Sequence, residues 1–179
     1  MKIKAILFAG LMVAVAIKAQ GPNLITLNPG FELGSPAGWY MWIDEQSAGN
    51  AVFETVEGGH TGGYALQMTV KRPTREIWQI QMNLPEWEAK ANTRYRLTFW
   101  AKGVAPVRVT VTDATKNYAY MTGFDGTLTA EWTKVTGEFT TGEQTGKGSV
   151  HVGVGMGRQA GAYQFDDFVV EEVGPAAAH

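Results

Sequence analysis

Tyr95-Arg96-Leu97-Thr98-Phe99-Trp100-Ala101 places Tyr95, Leu97, Phe99 and Ala101 on one side, and Arg96, Thr98 and Trp100 on the other. Successive side chains of a strand point to opposite faces, so this strict alternation predicts a strand buried on one side only. The pattern recurs outward in both directions. Residues 64–70 align Leu66, Met68 and Val70, and residues 78–82 set Trp78, Ile80 and Met82 against Gln79 and Gln81. Residues 107–112, 135–139, 150–156 and 165–170 repeat the scheme, while helical periodicity is scarcely present. A polar second face marks antiparallel sheets packed on one side. Gly58-Gly59, Gly62-Gly63, Gly123, Gly126, Gly142, Gly146 and Gly148 fall between the runs as turn formers. The expected fold is all-β, an antiparallel β-sandwich of jelly-roll form.

The amino terminus reads differently. Lys2 and Lys4 precede an apolar run over residues 5–17, and the small residue Ala19 follows. That is the pattern of a secretion signal over residues 1–19, and the run is short for a span of about 20 residues across a bilayer. The expected protein is therefore secreted and free of membrane once the signal is cut. Lys2, Lys4 and Lys18 would leave with it and no acid would, so the net charge of −2 becomes −5. A mildly acidic domain without a basic cluster is not built for nucleic acid. Cysteine is absent, which excludes disulfides and thiolate chemistry. Residues 20–173 suffice for one domain with its own core, and residues 174–179 read as a linker or tail.

Six Trp and six Tyr are available for recognition. Trp100 lies on the polar side of its strand, where a large ring fills no core. Tyr118 and Tyr120 share a face across Ala119, and Gln79 and Gln81 present amides near Arg75. Aromatic faces flanked by amide and guanidinium groups suit pyranose rings, whose C–H faces stack while their hydroxyls pair with planar donors and acceptors. Trp42 is the candidate for the same surface within Trp39, Tyr40 and Trp42, with Trp39 plugging the core. Trp87 and Trp132 read as structural. His151 shares the polar side of its strand, where it either touches ligand or is simply solvated.

Two segments frame the domain: Asn28-Pro29-Gly30-Phe31-Glu32 near its start and Phe165-Asp166-Asp167-Phe168 near its end. Each puts carboxylates beside a strand that must be buried, which calls for compensation. A hard divalent cation shared by the two ends, Ca²⁺ above all, is the simplest compensation.

Those segments, with His60-Thr61-Gly62-Gly63-Tyr64-Ala65-Leu66, the stretch from Tyr95 to Lys102, and Trp132-Thr133-Lys134-Val135, carry a resemblance. In this order they resemble a carbohydrate-binding module of the group joining families four, nine and twenty-two. The resemblance implies a jelly-roll sandwich with a cleft on its concave sheet. It implies polysaccharide ligands such as β-glucan, xylan or amorphous cellulose, and a hydrolase tethered nearby. It also implies a structural Ca²⁺ held by Glu32 and Asp166 or Asp167, Asp166 being favoured by its parity, with carbonyls near Gly30 or in the loop around residues 58–62.

Catalytic patterns are weak. Glycoside hydrolysis usually needs two facing carboxylates, and the acids here are scattered. Gly148-Ser149-Val150-His151-Val152 is no nucleophile elbow. The expected function is a non-catalytic module holding β-linked plant polysaccharide on Trp42, Trp100, Tyr118 and Tyr120, with Arg75, Gln79 and Gln81 bonding the hydroxyls. A structural or adhesion sandwich is the rival. A small lyase or hydrolase, drawing on Tyr118, Arg75 and His151, is the more distant one.

Overall fold

The computed structural model describes residues 21–176, so the expected signal segment and the last residues of the tail lie outside it. In chain order the strands are β1 (Tyr40–Ile43), β2 (Ala51–Glu57), β3 (Tyr64–Val70), β4 (Ile80–Asn83), β5 (Glu88–Ala89) and β6 (Thr93–Gly103). They continue as β7 (Val107–Asp113), β8 (Ala119–Gly126), β9 (Thr133–Thr140), β10 (Gly146–Lys147), β11 (Val150–Gly155) and β12 (Gly161–Pro175). One five-stranded sheet has the order β1-β4-β11-β7-β8 and the other β2-β3-β12-β6-β9, while β5 and β10 form a small separate ladder. Every strand pair is antiparallel. This is the sandwich the alternation predicts.

The alternating runs supply the two inner faces. Tyr95, Leu97, Phe99 and Ala101 of β6 are fully buried, as are Leu66 and Met68 of β3. They meet Ile80 and Met82 of β4 and the valines of β7 and β11 across one core. Trp87 also lies in this core against Tyr95 and Phe139, with ring centroids 6.4 and 6.3 Å away.

Strand β12 holds the ends of the domain together. Tyr163 and Phe165 face inward at odd positions, and Phe168 and Val170 at even ones. A register shift between Asp166 and Val169, with Asp167 at φ 52°, absorbs the change of parity. Such a bulge adds a residue to one strand and re-aims those beside it. Asp166 is fully buried at this bulge. The incoming amino-terminal segment docks along the same strand. Leu24 N–H donates to the Val170 carbonyl at 2.8 Å, Asn23 Nδ2 to the Phe168 carbonyl at 2.8 Å, and Phe168 N–H to the Pro29 carbonyl at 2.9 Å. Phe168 then packs on Trp39 (centroids 4.6 Å), Phe99 (4.8 Å) and Phe31 (6.2 Å). Trp39 is the core plug expected of it, and its Nε1–H donates to the Asn28 carbonyl at 3.0 Å.

One expected strand is displaced. Residues 77–79 form a short 3-10 helix, and β4 begins only at Ile80. Trp78 therefore does not share the inward face of Ile80 and Met82; it is 47% exposed. The turn is held locally, since Gln79 Oε1 accepts from the Glu76 N–H at 2.9 Å.

Candidate functional site

The outer face of the β1-β4-β11-β7-β8 sheet forms a cleft of about 900 Å³. Its composition follows from cross-strand register, which lines up side chains row by row. One row reads Trp42, Gln81, Gly155, Arg108, Asp125. The next reads Tyr40, Asn83, Gly153, Thr110, Gly123. A third brings His151, Thr112 and Tyr120 together. The middle of the sheet is low, because β11 carries glycine at two successive outward positions.

Aromatic rings stand at both edges. Tyr40 and Trp42 rise from β1, with Trp78 from the 3-10 helix beside them, and Tyr118 and Tyr120 flank the far side. Tyr118 and Tyr120 are 60% and 62% exposed, so their faces are free for a ligand. Five strands spaced at roughly 4.8 Å separate the two edges by about 19 Å, the span of a short oligosaccharide instead of a single ring.

The polar groups between are held in place. Arg108 donates from Nη1 to Asp125 Oδ1 at 3.1 Å and from Nη2 to Tyr120 Oη at 3.2 Å. Asp125 thus offsets the guanidinium charge and fixes its plane. His151 Nδ1 lies 3.3 Å from Thr112 Oγ1, and its ring meets Tyr118 edge-on at 5.2 Å. Burial holds the His151 imidazole below its ordinary pKa, which favours the neutral ring. Glu86 is the carboxylate among the cleft-lining residues. The facing pair that glycoside hydrolysis usually uses is not assembled in this lining.

Of the residues singled out in the sequence, Trp42, Gln81, Tyr118 and Tyr120 converge on this cleft. Trp100 does not. Its strand β6 belongs to the opposite sheet, where the ring stacks on His60 at 3.8 Å and 14°. Trp132 meets His60 edge-on at 5.9 Å, and Lys102 Nζ caps Trp132 at 4.7 Å from its centroid. Alternation puts Trp100 on the outer side of its strand, as the structure has it, but β6 lies in the sheet away from this cleft, so the ring does not line it. Gln79 is absorbed by the 3-10 turn, donating from Nε2 to Asp44 Oδ2 at 3.2 Å. Arg75 is almost fully exposed beside Glu76, outside the cleft lining. Reading the sequence missed Tyr40, Trp78, Asn83 and Arg108. For Trp78 the sequence carries no usual capping signal, because Glu76 is not among the N-cap residues that mark a helical start.

The carboxylates of the two framing segments meet on the other side of the domain. Asp166 Oδ2 accepts the His60 and Thr61 N–H groups at 2.7 and 3.2 Å, and Asp166 Oδ1 accepts the Asp167 N–H at 2.7 Å. Asp167 accepts from Thr61 Oγ1 at 2.6 Å and lies 2.7 Å from His60 Nδ1. Glu32 accepts from the Gly63 and Tyr64 N–H groups at 2.9 and 3.3 Å. Burial pushes the Asp166 carboxyl up to about 6, since desolvation disfavours its charged form. Gly30 lies beside them in ordinary contact, a Cβ there standing 3.4 Å from Asp166 Oδ1 and 3.6 Å from Asp167 Oδ1, whereas at Gly59 a Cβ would stand 2.7 Å from Asp166 Oδ2 and meet the Thr61 and Tyr64 carbonyls. Among the described residues, no three His, Cys, Asp or Glu side chains cage a metal unaided. The donors are all oxygen, which fits Ca²⁺ completed by backbone carbonyls.

Comparison with known proteins adds three findings. A family profile described as a carbohydrate binding domain matches residues 23–158. No curated protein matches. Solved structures do: a CBM4 module has a TM-score of 0.61 at 21% identity, covering 81% of this chain and 97% of the other. The CBM22-1 xylan-binding domain from Paenibacillus barcinonensis Xyn10C has a TM-score of 0.61 at 21% identity, with coverages of 89% and 98%. TmCBM61, in complex with β-1,4-galactotriose, has a TM-score of 0.58 at 22% identity, with coverages of 85% and 99%.

Proposed function

The chain belongs to the carbohydrate-binding domain family, and from that membership we propose that its aromatic cleft holds a β-linked polysaccharide chain without cleaving it. The observation that carries this reading is the pairing of exposed rings at both edges of one sheet face with a polar floor between them. Sugar C–H faces stack on Trp42, Trp78, Tyr118 and Tyr120, while Gln81 and Arg108 pair with hydroxyls. Open sites of this kind bind weakly, with Kd on the order of micromolar to millimolar. The module would work outside the cell beside a glycoside hydrolase. The mature protein, cut after Ala19, would begin at Gln20 in amino-terminal sequencing of exported material.

Native affinity electrophoresis tests the ligand class. The domain is expected to be retarded in gels containing one or two of mixed-linkage β-glucan, xylan, glucomannan and hydroxyethyl cellulose. Free migration in all four would favour the structural-spacer reading.

We also propose that Glu32, Asp166 and Asp167, with carbonyls near Gly30, hold a structural Ca²⁺. The approach of the Thr61 and Tyr64 carbonyls and Asp166 Oδ2 to one point at Gly59, and the depth of Asp166, support this reading. Bound calcium would fasten the amino-terminal segment to β12 and do no chemistry. At a hundredfold excess over Kd it would stabilise the domain by about 2.7 kcal/mol. Chelation is therefore expected to lower Tm by several degrees and calcium to restore it. An unchanged Tm would assign these carboxylates to hydrogen bonding alone.

A further inference from the structure

Among the described residues that line the cleft, Arg108 is the only arginine or lysine. Its side chain lies low over the sheet because the outward position it crosses is bare: a Cβ on Gly123 would stand 3.2 Å from Nη2 and 3.3 Å from Nε. From there Nη2 reaches Tyr120 Oη, and Nη1 donates to Asp125, which faces Arg108 across the β7–β8 ladder. The Arg108 side chain is 31% exposed and that of Asp125 68%, so both are open to whatever enters. An ion pair this wet adds little to stability. Its consequence is for the charge of the site. A free arginine in a cleft is a ready receptor for a carboxylate, which it grips through parallel N–H groups. Asp125 already fills that role, and Glu86, an exposed carboxylate, lines the same cleft. With the His151 ring neutral, two carboxylates stand against one guanidinium.

We propose that Asp125 is a specificity-determining residue of this cleft: it claims the Arg108 guanidinium and so reserves the site for uncharged glycan chains, turning away chains that carry uronate groups. The inference rests on the glycan-binding reading above and narrows its ligand by charge. A neutral hydroxyl loses nothing at such a site. The guanidinium has five N–H donors and spends two on Asp125 and Tyr120, so it can still donate to a hydroxyl oxygen. A uronate arriving at the same place meets a cation already neutralised and a like charge beside it. Like charges roughly 4–6 Å apart in water cost about three- to fivefold in affinity, and salt screens the effect. Specificity of this kind is a difference of affinities, set here by repulsion of the wrong chain.

Calorimetric titration at low ionic strength tests this with two forms of one polysaccharide. The first is whichever neutral polymer retards the native domain. The second is the same chain carrying carboxylates: oxidised at its primary alcohols for a glucan, glucomannan or cellulose ether, or bearing glucuronate branches for xylan. The native domain is expected to bind the neutral form severalfold more tightly. Asp125→Asn removes the charge while its side-chain oxygen can still accept from Arg108, and it is expected to narrow that preference about three- to fivefold. The narrowing should fade as salt is added. Glu54→Gln makes the same change of net charge on β2 of the opposite sheet, and is expected to leave the preference as it is. Equal or reversed preference in the native domain, an undiminished preference in Asp125→Asn, or an equal narrowing in Glu54→Gln overturns the inference and leaves glycan binding intact. Failure to bind any of the four neutral polysaccharides overturns the glycan-binding reading, and this inference with it.

Discussion

Phe168→Ala is expected to destabilise the domain by about 3–5 kcal/mol, the usual cost of truncating a fully buried phenylalanine. Phe168 has no solvent exposure and touches three rings from two separate segments: Phe31 and Trp39 of the amino-terminal arm, and Phe99 of β6. The cavity left behind would sit where the chain ends are joined. Its lining includes Phe31, held at the unfavourable φ of 58°, which restricts local collapse. Domains of this kind have about 5–15 kcal/mol in total, so the loss takes a large share. Each kilocalorie corresponds to roughly 2–4 °C at this chain length, which puts the expected fall in Tm near or above 10 °C. Thermal and urea unfolding of the two proteins would measure it. A loss below about 1 kcal/mol would mean that the aromatic cluster does not anchor the two ends as described.

The second large effect concerns binding. Trp42→Ala combined with Trp78→Ala is expected to abolish retardation in the gel that retains the native domain. Each ring is about half exposed, at 38% and 47%, so a stacked sugar buries further apolar surface on it. At about 25 cal/mol per Å², some tens of Å² per ring amount to roughly 1–2 kcal/mol, and the pair to a loss of about thirtyfold or more. A ligand bound in the micromolar to millimolar range has no reserve against that. The fold should persist, since neither ring belongs to the core. Trp100→Ala is the control. It breaks the His60 stack on the other sheet, so a modest loss of stability with unchanged retention is expected. Retention lost in Trp100→Ala, or kept in the double variant, would move the site to the opposite face.

The two assignments at residues 78–82 and at Trp100 show how far alternation reaches. Ile80 and Met82 were placed inward correctly, because the strand itself is regular from Ile80 onward. Trp78 failed one turn earlier, where a 3-10 helix breaks the two-residue period and swings the ring into the cleft. The burial of Asp166 shows a different limit. Its parity matches Phe168 and Val170, yet Phe165 beside it also faces inward, and only the bulge with Asp167 at positive φ reconciles the two. Local pattern carries the inward and outward sense of each regular strand. It carries no record of an inserted residue.

Length, alternation and turn chemistry therefore determined by themselves that this chain is an antiparallel β-sandwich, that Trp39 closes its core, and that Tyr118 and Tyr120 stand outside it. Burial is strongly written into such sequences because the inward positions of the regular strands are mostly apolar. Which sheet a strand joins is decided by pairings between residues far apart in the chain, such as β12 with β3 and β6, or β11 with β4 and β7. Only those pairings separate Trp100 from Trp42 and bring Tyr40 and Trp78 to the cleft. A side chain's face is a property of its own strand, but a binding site is a property of its neighbours.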